Sequence, residues 1–279
     1  MANLAHPYFS IITPVYNGSR FIRQYIQSLQ SQTYSDWEAI IIEDCSTDDS
    51  FQILSSLMAD DPRFKIFSSP MPADNTILRG PYRPRNIGLS LATGRFICFL
   101  DIDDYWLPSK LDVQHSVLES NRSLKLLYSD YIKANSCLVK GYLKPSLNYP
   151  SVKSQIAIWN PIPNLTSCVE SSIAKETSFR PVHHEDYIFW FEVIAKLHSS
   201  QICKIHSVLC IYRSSSLSVS ANKFLVLSWW LDCYRFFGYN VFFSILLLLL
   251  KIFAEVIESI LVFMKIIPCR PISLTRAFR

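Results

Sequence analysis

Five apolar residues in a row, Phe96 to Leu100, leave no position for a solvated face. A run this short and this apolar predicts a central strand of a parallel sheet, covered on both sides. Tyr8–Val15 and Trp37–Ile42 read as buried strands of the same kind, and Phe64–Phe67 as a third. Between them the period changes to that of a helix. Ile22, Ile26 and Leu29 fall at i, i+4, i+7, with Asn17 or Ser19 placed to cap the helix. Phe51, Leu54, Leu57 and Met58 line a second helix, which Ser46 and Asp49 would open as a capping box. Ser68–Pro84 reads as a long loop, and Arg85–Ala92 as a short helix opened by Pro84. Strand and helix thus alternate from Tyr8 to Leu100. The expected class is α/β, with a Rossmann-like, mostly parallel central sheet flanked by helices.

Past that point the pattern is less regular. Leu111–Leu118 continues a helix, Leu124–Tyr131 predicts a strand, and Lys133–Gln155 is polar and loop-like. Cys168–Ile173 is another short strand, and an aromatic helix opens at His183-His184-Glu185-Asp186. From Trp229 the composition shifts towards a C-terminal hydrophobic helical extension. Val241–Leu250 is almost purely apolar, yet Ser244, Lys251, Glu255, Glu258 and Lys265 form one narrow helical stripe. The three central charges would cost roughly 8–10 kcal/mol in a spanning helix, more than the roughly 4–7 kcal/mol its apolar residues return. A helix lying in the membrane interface is expected instead, with Trp229, Trp230, Tyr234 and the basic tail (Arg270, Arg276, Arg279) near headgroups. Packing on the remaining chain or on a partner is the alternative. The expected division is 1–222, with halves 1–111 and 112–222, followed by 223–279.

Composition removes several classes. At 49% hydrophobic the chain is too polar for a multi-span membrane protein, and a net charge of +4 with no long basic run does not point to nucleic acid. Eight cysteines form no Cys-x-x-Cys pair and read as reduced thiols of a cytosolic protein. Met1–Ser10 lacks the pattern of a signal peptide, so the glycosylation triplets at Asn17, Asn121 and Asn164 read as chance. With six glycines there is no Gly-x-Gly-x-x-Gly, which argues against a dehydrogenase.

Candidate chemistry gathers at strand ends. The Phe96 run stops on Asp101, Asp103 and Asp104; in an extended chain the first two share a face. Two anions that close repel unless a cation lies between them, and hard oxygens suit Mg²⁺ or Mn²⁺, which would hold a ligand's phosphates. The same acids also serve as turn and N-cap residues before Pro108. Asp44, at the end of the second strand, suits a nucleobase imide or a ribose hydroxyl, and equally a helix cap. Arg79, Arg83 and Arg85 lie between these acids and could meet a diphosphate, or water. The histidines 183 and 184 are adjacent and not at i, i+4, so zinc is not expected.

Four segments in order, Ser10–Asn17, Ile42–Asp48, Arg85–Leu89 and Phe99–Trp106, resemble the family 2 glycosyltransferases. The resemblance covers residues 8–111 and implies the glycosyltransferase A-type fold. It also implies that Pro14 and Tyr16 line a nucleotide pocket with Asn17 beside them, and that Asp44 holds the base or ribose. Arg85, Asn86, Asp101 and Ile102 complete the nucleotide-sugar set it implies, with Asp103 and Asp101 as metal ligands. Glu185-Asp186 matches the pair that supplies the family's general base. Glu43 stands where the family often has Asp, and Cys45 where it often has Gly, which asks whether this turn needs a positive φ. Ile211–Ser220 resembles a closing motif but lacks its His; Arg213 and the serines remain candidates for phosphate, while His206 reads as structural. The implied function is an inverting, metal-dependent transfer from a nucleotide sugar, with UDP the default. The acceptor would be a hydroxyl of a glycolipid or polysaccharide, and the location the cytoplasmic face of the membrane. A non-catalytic scaffold and a phosphatase-like hydrolase using Asp101 are the alternatives.

Overall fold

The computed structural model describes residues 6–57, 61–70, 80–135, 140–143, 152–156, 160–214, 223–263 and 271–273. The first half alternates as the periodicity predicts: β1 (Phe9–Val15), α1 (Ile22–Gln30), β2 (Trp37–Glu43), α2 (Ser50–Leu57), β3 (Phe64–Ser68), α3 (Tyr82–Leu91) and β4 (Phe96–Phe99). There follow β5 (Tyr105–Trp106), α4 (Lys110–Ser120), β6 (Leu126–Asn135), β7 (Lys140–Leu143), α5 (Val152–Ile156), β8 (Cys168–Glu170) and α6 (Ser171–Lys175). Then come α7 (Glu185–Ala195), β9 (Ile202–Ser214), α8 (Lys223–Phe236), α9 (Val241–Phe263) and β10 (Pro271–Ser273).

One sheet holds these strands in the order β10-β7-β6-β8-β4-β1-β2-β3, with β9 joined to β6 and β5. β4, β1, β2 and β3 are mutually parallel, while β8 is inserted antiparallel between β4 and β6. Alternate residues of β1 enter opposite cores, as a strand's period of two requires. Phe9 and Ile11 join α1 and α4, whereas Ile12 joins Phe99, Tyr187 and Trp190 on the face of α3 and α7. Gly88 of α3 fixes that second face: a Cβ there would lie 2.4 Å from Ile12 Cγ2. The glycine lets the helix sit directly on β1.

Several boundaries differ from the sequence reading. Asn17 does not cap α1, whose N-cap is Phe21 without a side-chain bond. Its carboxamide oxygen instead accepts from the Thr47 amide at 2.8 Å. Asp48, not Ser46, accepts from the Ser50 amide at the start of α2 (3.0 Å). α3 begins at Tyr82, so Pro84 lies within its first turn, where its missing N–H costs nothing. Part of the expected loop 133–155 is ordered structure, because β6 runs on to Asn135 between β9 and β7 and both ladders satisfy its polar backbone. Cys168–Ile173 is strand only to Glu170; α6 begins at Ser171.

The C-terminal helices overturn part of their expected placement. Trp229, Trp230 and Tyr234 of α8 are buried, and Trp230 and Tyr234 belong to the core around Tyr187 and Trp190. They are not at a headgroup layer. On α9 the polar positions Ser244 and Lys251 face inward, with the Lys251 ammonium 4.6 Å from the Trp230 ring centroid. The outward face is apolar: Phe242 is 75% exposed, Phe253 64% and Leu249 58%. Among the described residues no helix is long and apolar enough to cross a membrane. Arg270, Arg276 and Arg279 lie outside the described residues, as do Arg79, Met58 and residues 215–220.

Candidate active site

The parallel strands bring their carboxyl ends to one edge, where ligands bind in open α/β sheets. β1 delivers Pro14, Tyr16 and Asn17. Pro14 is half-buried, but Tyr16 is 52% exposed, a large ring left without cover at a strand end. Asn17 adopts φ 49°, a left-handed conformation that Asn tolerates, and ties this turn to the next through Thr47 and Ser46. β2 delivers Asp44, half-buried, its amide on the Val15 carbonyl at 2.8 Å. The next residue, Cys45, has φ 60°. The turn does need a positive φ, and Cys accepts it because the Glu43 carboxylate holds it in place. Glu43 Oε2 accepts from the Cys45 amide (3.2 Å) and Oε1 from the Ser46 amide (2.5 Å).

β4 ends on the acidic cluster, but not in extended form. The Asp104 amide returns to the Asp101 carbonyl at 3.0 Å, so a turn, not a strand's alternation, brings the carboxylates together. Burial and the charge of Asp101 push Asp103 up to about 6, and burial with both neighbours pushes Asp104 well above the usual range. Arg213 of β9 braces this turn. Its backbone N–H donates to Asp104 Oδ1 (2.9 Å), its Nε to the Asp103 carbonyl (2.6 Å) and its Nη2 to Gln24 Oε1 (2.6 Å). Arg213 is therefore buried, with these groups in support of the acids. Arg83 bonds the Pro70 carbonyl, and His206 is exposed on β9. Ile102 packs on Gly18, where a Cβ would lie 3.0 Å from Ile102 Cγ2.

Arg85 of α3 joins the two halves of the site. Its Nη2 donates to Asp101 Oδ1 at 2.7 Å and its Nη1 to Glu185 Oε1 at 2.5 Å. The two carboxylates hold the buried guanidinium firmly charged. Asn86 is engaged at both ends of its amide by the Phe179 backbone (2.9 and 2.8 Å), so it anchors the 179 segment. Asp186, beside Glu185 in the first turn of α7, accepts from Asn160 Nδ2 at 2.9 Å and from the Tyr187 amide at 2.8 Å. Burial raises both carboxyls; Arg85 works against this for both, through a direct ion pair with Glu185. Sequence reading passed over Asn160 and Gln24. The signal for Asn160 was faint: it precedes Pro161 and turns the chain by accepting from the Ile162 amide at 3.0 Å.

Comparison with known proteins bears on the family and the fold. The family model described as glycosyl transferase family 2 matches residues 10–124. The Escherichia coli UDP-Glc:alpha-D-GlcNAc-diphosphoundecaprenol beta-1,3-glucosyltransferase WfgD is 33% identical over 218 residues, 77% of this chain and 80% of its own. The putative teichuronic acid biosynthesis glycosyltransferase TuaG of Bacillus subtilis is 37% identical over 39% of this chain and 40% of its own. Among solved structures, S. aureus TarS 1-349 in complex with UDP-GlcNAc superposes with a TM-score of 0.61 at 20% identity, over 77% of this chain and 60% of that one. The mannosyltransferase PcManGT from Pyrobaculum calidifontis, in complex with GDP-Man and Mn²⁺, gives 0.63 at 13% identity, over 94% and 76%. These likenesses establish the fold. The relationship to WfgD, with the matched family model, carries the assignment: this chain belongs to glycosyltransferase family 2.

Proposed function

We propose that the chain transfers a sugar, with inversion, from a nucleotide-diphosphate sugar to a hydroxyl of a membrane-linked glycan acceptor, with Asp186 as general base. The observation that carries this reading is the Arg85 bridge. It sets the Asp101 end of the sheet and the Glu185-Asp186 turn on either side of one guanidinium. Pro14, Tyr16, Asn17 and Asp44 form the nucleoside side, and the segment around Ile102 carries the diphosphate end. Asn86 supports the site by pinning the Phe179 backbone. UDP is the favoured nucleotide, since WfgD is named for a UDP-glucose donor and a diphosphoundecaprenol acceptor.

The acids fit a divalent cation of the Mg²⁺ or Mn²⁺ kind. Asp101 and Asp103 are hard oxygen donors; burial first, and then the neighbouring Asp101 charge, raises Asp103, and a cation between the two would relieve the second of these. Among the described residues no three His, Cys, Asp or Glu side chains converge on one point. A closed cage is not required where water and phosphate complete the sphere. When bound, the cation supplies charge neutralisation for the departing diphosphate.

The chain's own groups then divide the remaining work. Inversion requires the acceptor hydroxyl to attack from behind the leaving group, so its proton must go to a carboxylate away from Asp101 and Asp103. Glu185 is paired directly with Arg85, so its carboxylate is already engaged, although burial raises its affinity for a proton too. Asp186 faces an amide and a backbone N–H instead, and burial raises its affinity for a proton. It is the better base, with Glu185 in reserve. The 1–222 and 223–279 division is one of function: donor half, acceptor half, and a tail whose outward apolar face lies on the cytoplasmic membrane surface. The phosphatase and scaffold alternatives find no support in the Asp101–Arg85 pair.

The test is Asp186→Asn. A positioned base contributes roughly 10²–10⁴ in rate, so turnover should fall by about that factor. The fold and nucleotide binding should persist, because Asn keeps the shape and can still accept from the Tyr187 amide. Near-normal transfer by the folded variant would remove Asp186 from the role.

A further inference from the structure

The residue before Glu185-Asp186 is held in an unfavourable conformation. His184 is the N-cap of α7 at φ 54°, ψ 42°, with no side-chain cap. A left-handed residue other than Gly costs roughly 1–2 kcal/mol and persists only where its surroundings enforce it. From the nucleotide half Arg85 holds the next residue, Glu185, by its ion pair. The groups that flank His183 and His184 themselves come from α8 and α9. The His183 ring lies flat on Trp229, with centroids 4.1 Å apart and planes 12° apart. The His184 ring meets Trp229 at 5.7 Å and Trp230 at 5.0 Å. The Cys233 thiol donates to the His183 carbonyl at 3.4 Å. Behind them, Lys251 of α9 rests over Trp230 at 4.6 Å.

We infer that the C-terminal helical pair is a positioning device for the catalytic carboxylates, acting through the stack of Trp229 on His183 to hold the His183–Asp186 turn. The inference rests on the reading of Asp186 as base and deepens it. The pair clamps the two residues that lead into the base and leaves the Asp44 and Asp101 ends of the sheet untouched. Its loss is therefore felt in the chemical step and not in donor binding. Burial fits this role: His184 is pushed down to about 4 by burial, with Lys251 and His183 adding to the effect and Glu185 opposing it, so the His184 ring is uncharged at neutral pH.

The experiment compares Trp229→Leu, which keeps an apolar side chain but removes the ring from His183, with Trp229→Phe, which keeps a ring. Both are made in the full chain and read three ways: transfer kinetics with the sugar nucleotide the wild type uses, binding of UDP with Mn²⁺, and amide hydrogen exchange. The expected result for Trp229→Leu is a fall in kcat of tenfold or more. Donor KM and UDP affinity should stay within about twofold, and amides 183–187 should lose protection selectively. Trp229→Phe should recover most of both effects. Unchanged kcat and unchanged protection at 183–187 in the folded Leu variant would overturn the inference. So would a uniform loss of protection and affinity that Trp229→Phe shares, since that describes simple destabilisation. Asp186→Asn measured in parallel keeps the two readings apart: full turnover there rejects the base, whereas a normal Trp229→Leu rejects only the clamp.

Discussion

Cys45 shows how one side chain can pay a conformational cost for a turn. Its φ of 60° is the region glycine enters freely, and the two amides that follow the bend are gathered by Glu43. A non-glycine residue there loses roughly 1–2 kcal/mol, while glycine would lose part of that in unfolded-chain entropy, about 0.5–1 kcal/mol. Cys45→Gly should therefore stabilise the chain by roughly 0.5–1 kcal/mol, read as a higher urea midpoint at unchanged slope. A lower midpoint would show that the Sγ contact with the Ser69 carbonyl, at 3.5 Å, outweighs the backbone term. The question of a positive φ came from the family resemblance, because Cys stands where that family often has Gly. The role of Glu43 was not legible, since it depends on a carboxylate folding back on its own chain.

Among the elements, strands were legible where both faces are buried, because a continuous apolar run admits no other reading; β1, β2 and β4 are of this kind. The polar β6–β7 stretch was read as loop, since its order comes from ladders with β9 and with each other rather than from its own pattern. α3 was read as starting at Arg85, three residues late, yet its motif carries a physical reason for each residue. Arg85 bridges the acids, Asn86 pins Phe179, and Gly88 allows contact with β1. Gly88→Ala places a Cβ 2.4 Å from Ile12 Cγ2, a buried branched side chain with no room to retreat. Overpacking of this kind costs typically 1–3 kcal/mol. The thermal midpoint should drop accordingly. Activity of the remaining folded protein should drop as well, because displacing α3 moves Arg85 away from Asp101 and Glu185. A variant with wild-type turnover and midpoint would mean that the helix approach is looser than the contact implies.

For the whole molecule, the tail was legible as apolar with a polar stripe, but the direction of that stripe was not. Period fixes which residues share a face, not which way the face turns. Trp230 decided it, by offering Lys251 a ring in the interior and so turning Phe242, Leu249 and Phe253 outward. A helix with its polar side against protein and its apolar side against solvent calls for an apolar cover, and the membrane placement proposed above would supply one. At about 25 cal/mol per Å², moving three such side chains into the acyl boundary contributes roughly 3–5 kcal/mol. Replacing Phe242, Leu249 and Phe253 together by Ser should therefore lower partition onto liposomes of zwitterionic and anionic lipid by about 10²–10³. The inward residues are untouched, so the α8 contacts with His183 and His184 should remain. Transfer to a soluble acceptor analogue should stay near the wild-type rate, while transfer to an acceptor embedded in the liposome falls. Equal liposome binding by the triple variant and the wild type would show that the outward face of α9 is not the surface that meets the membrane.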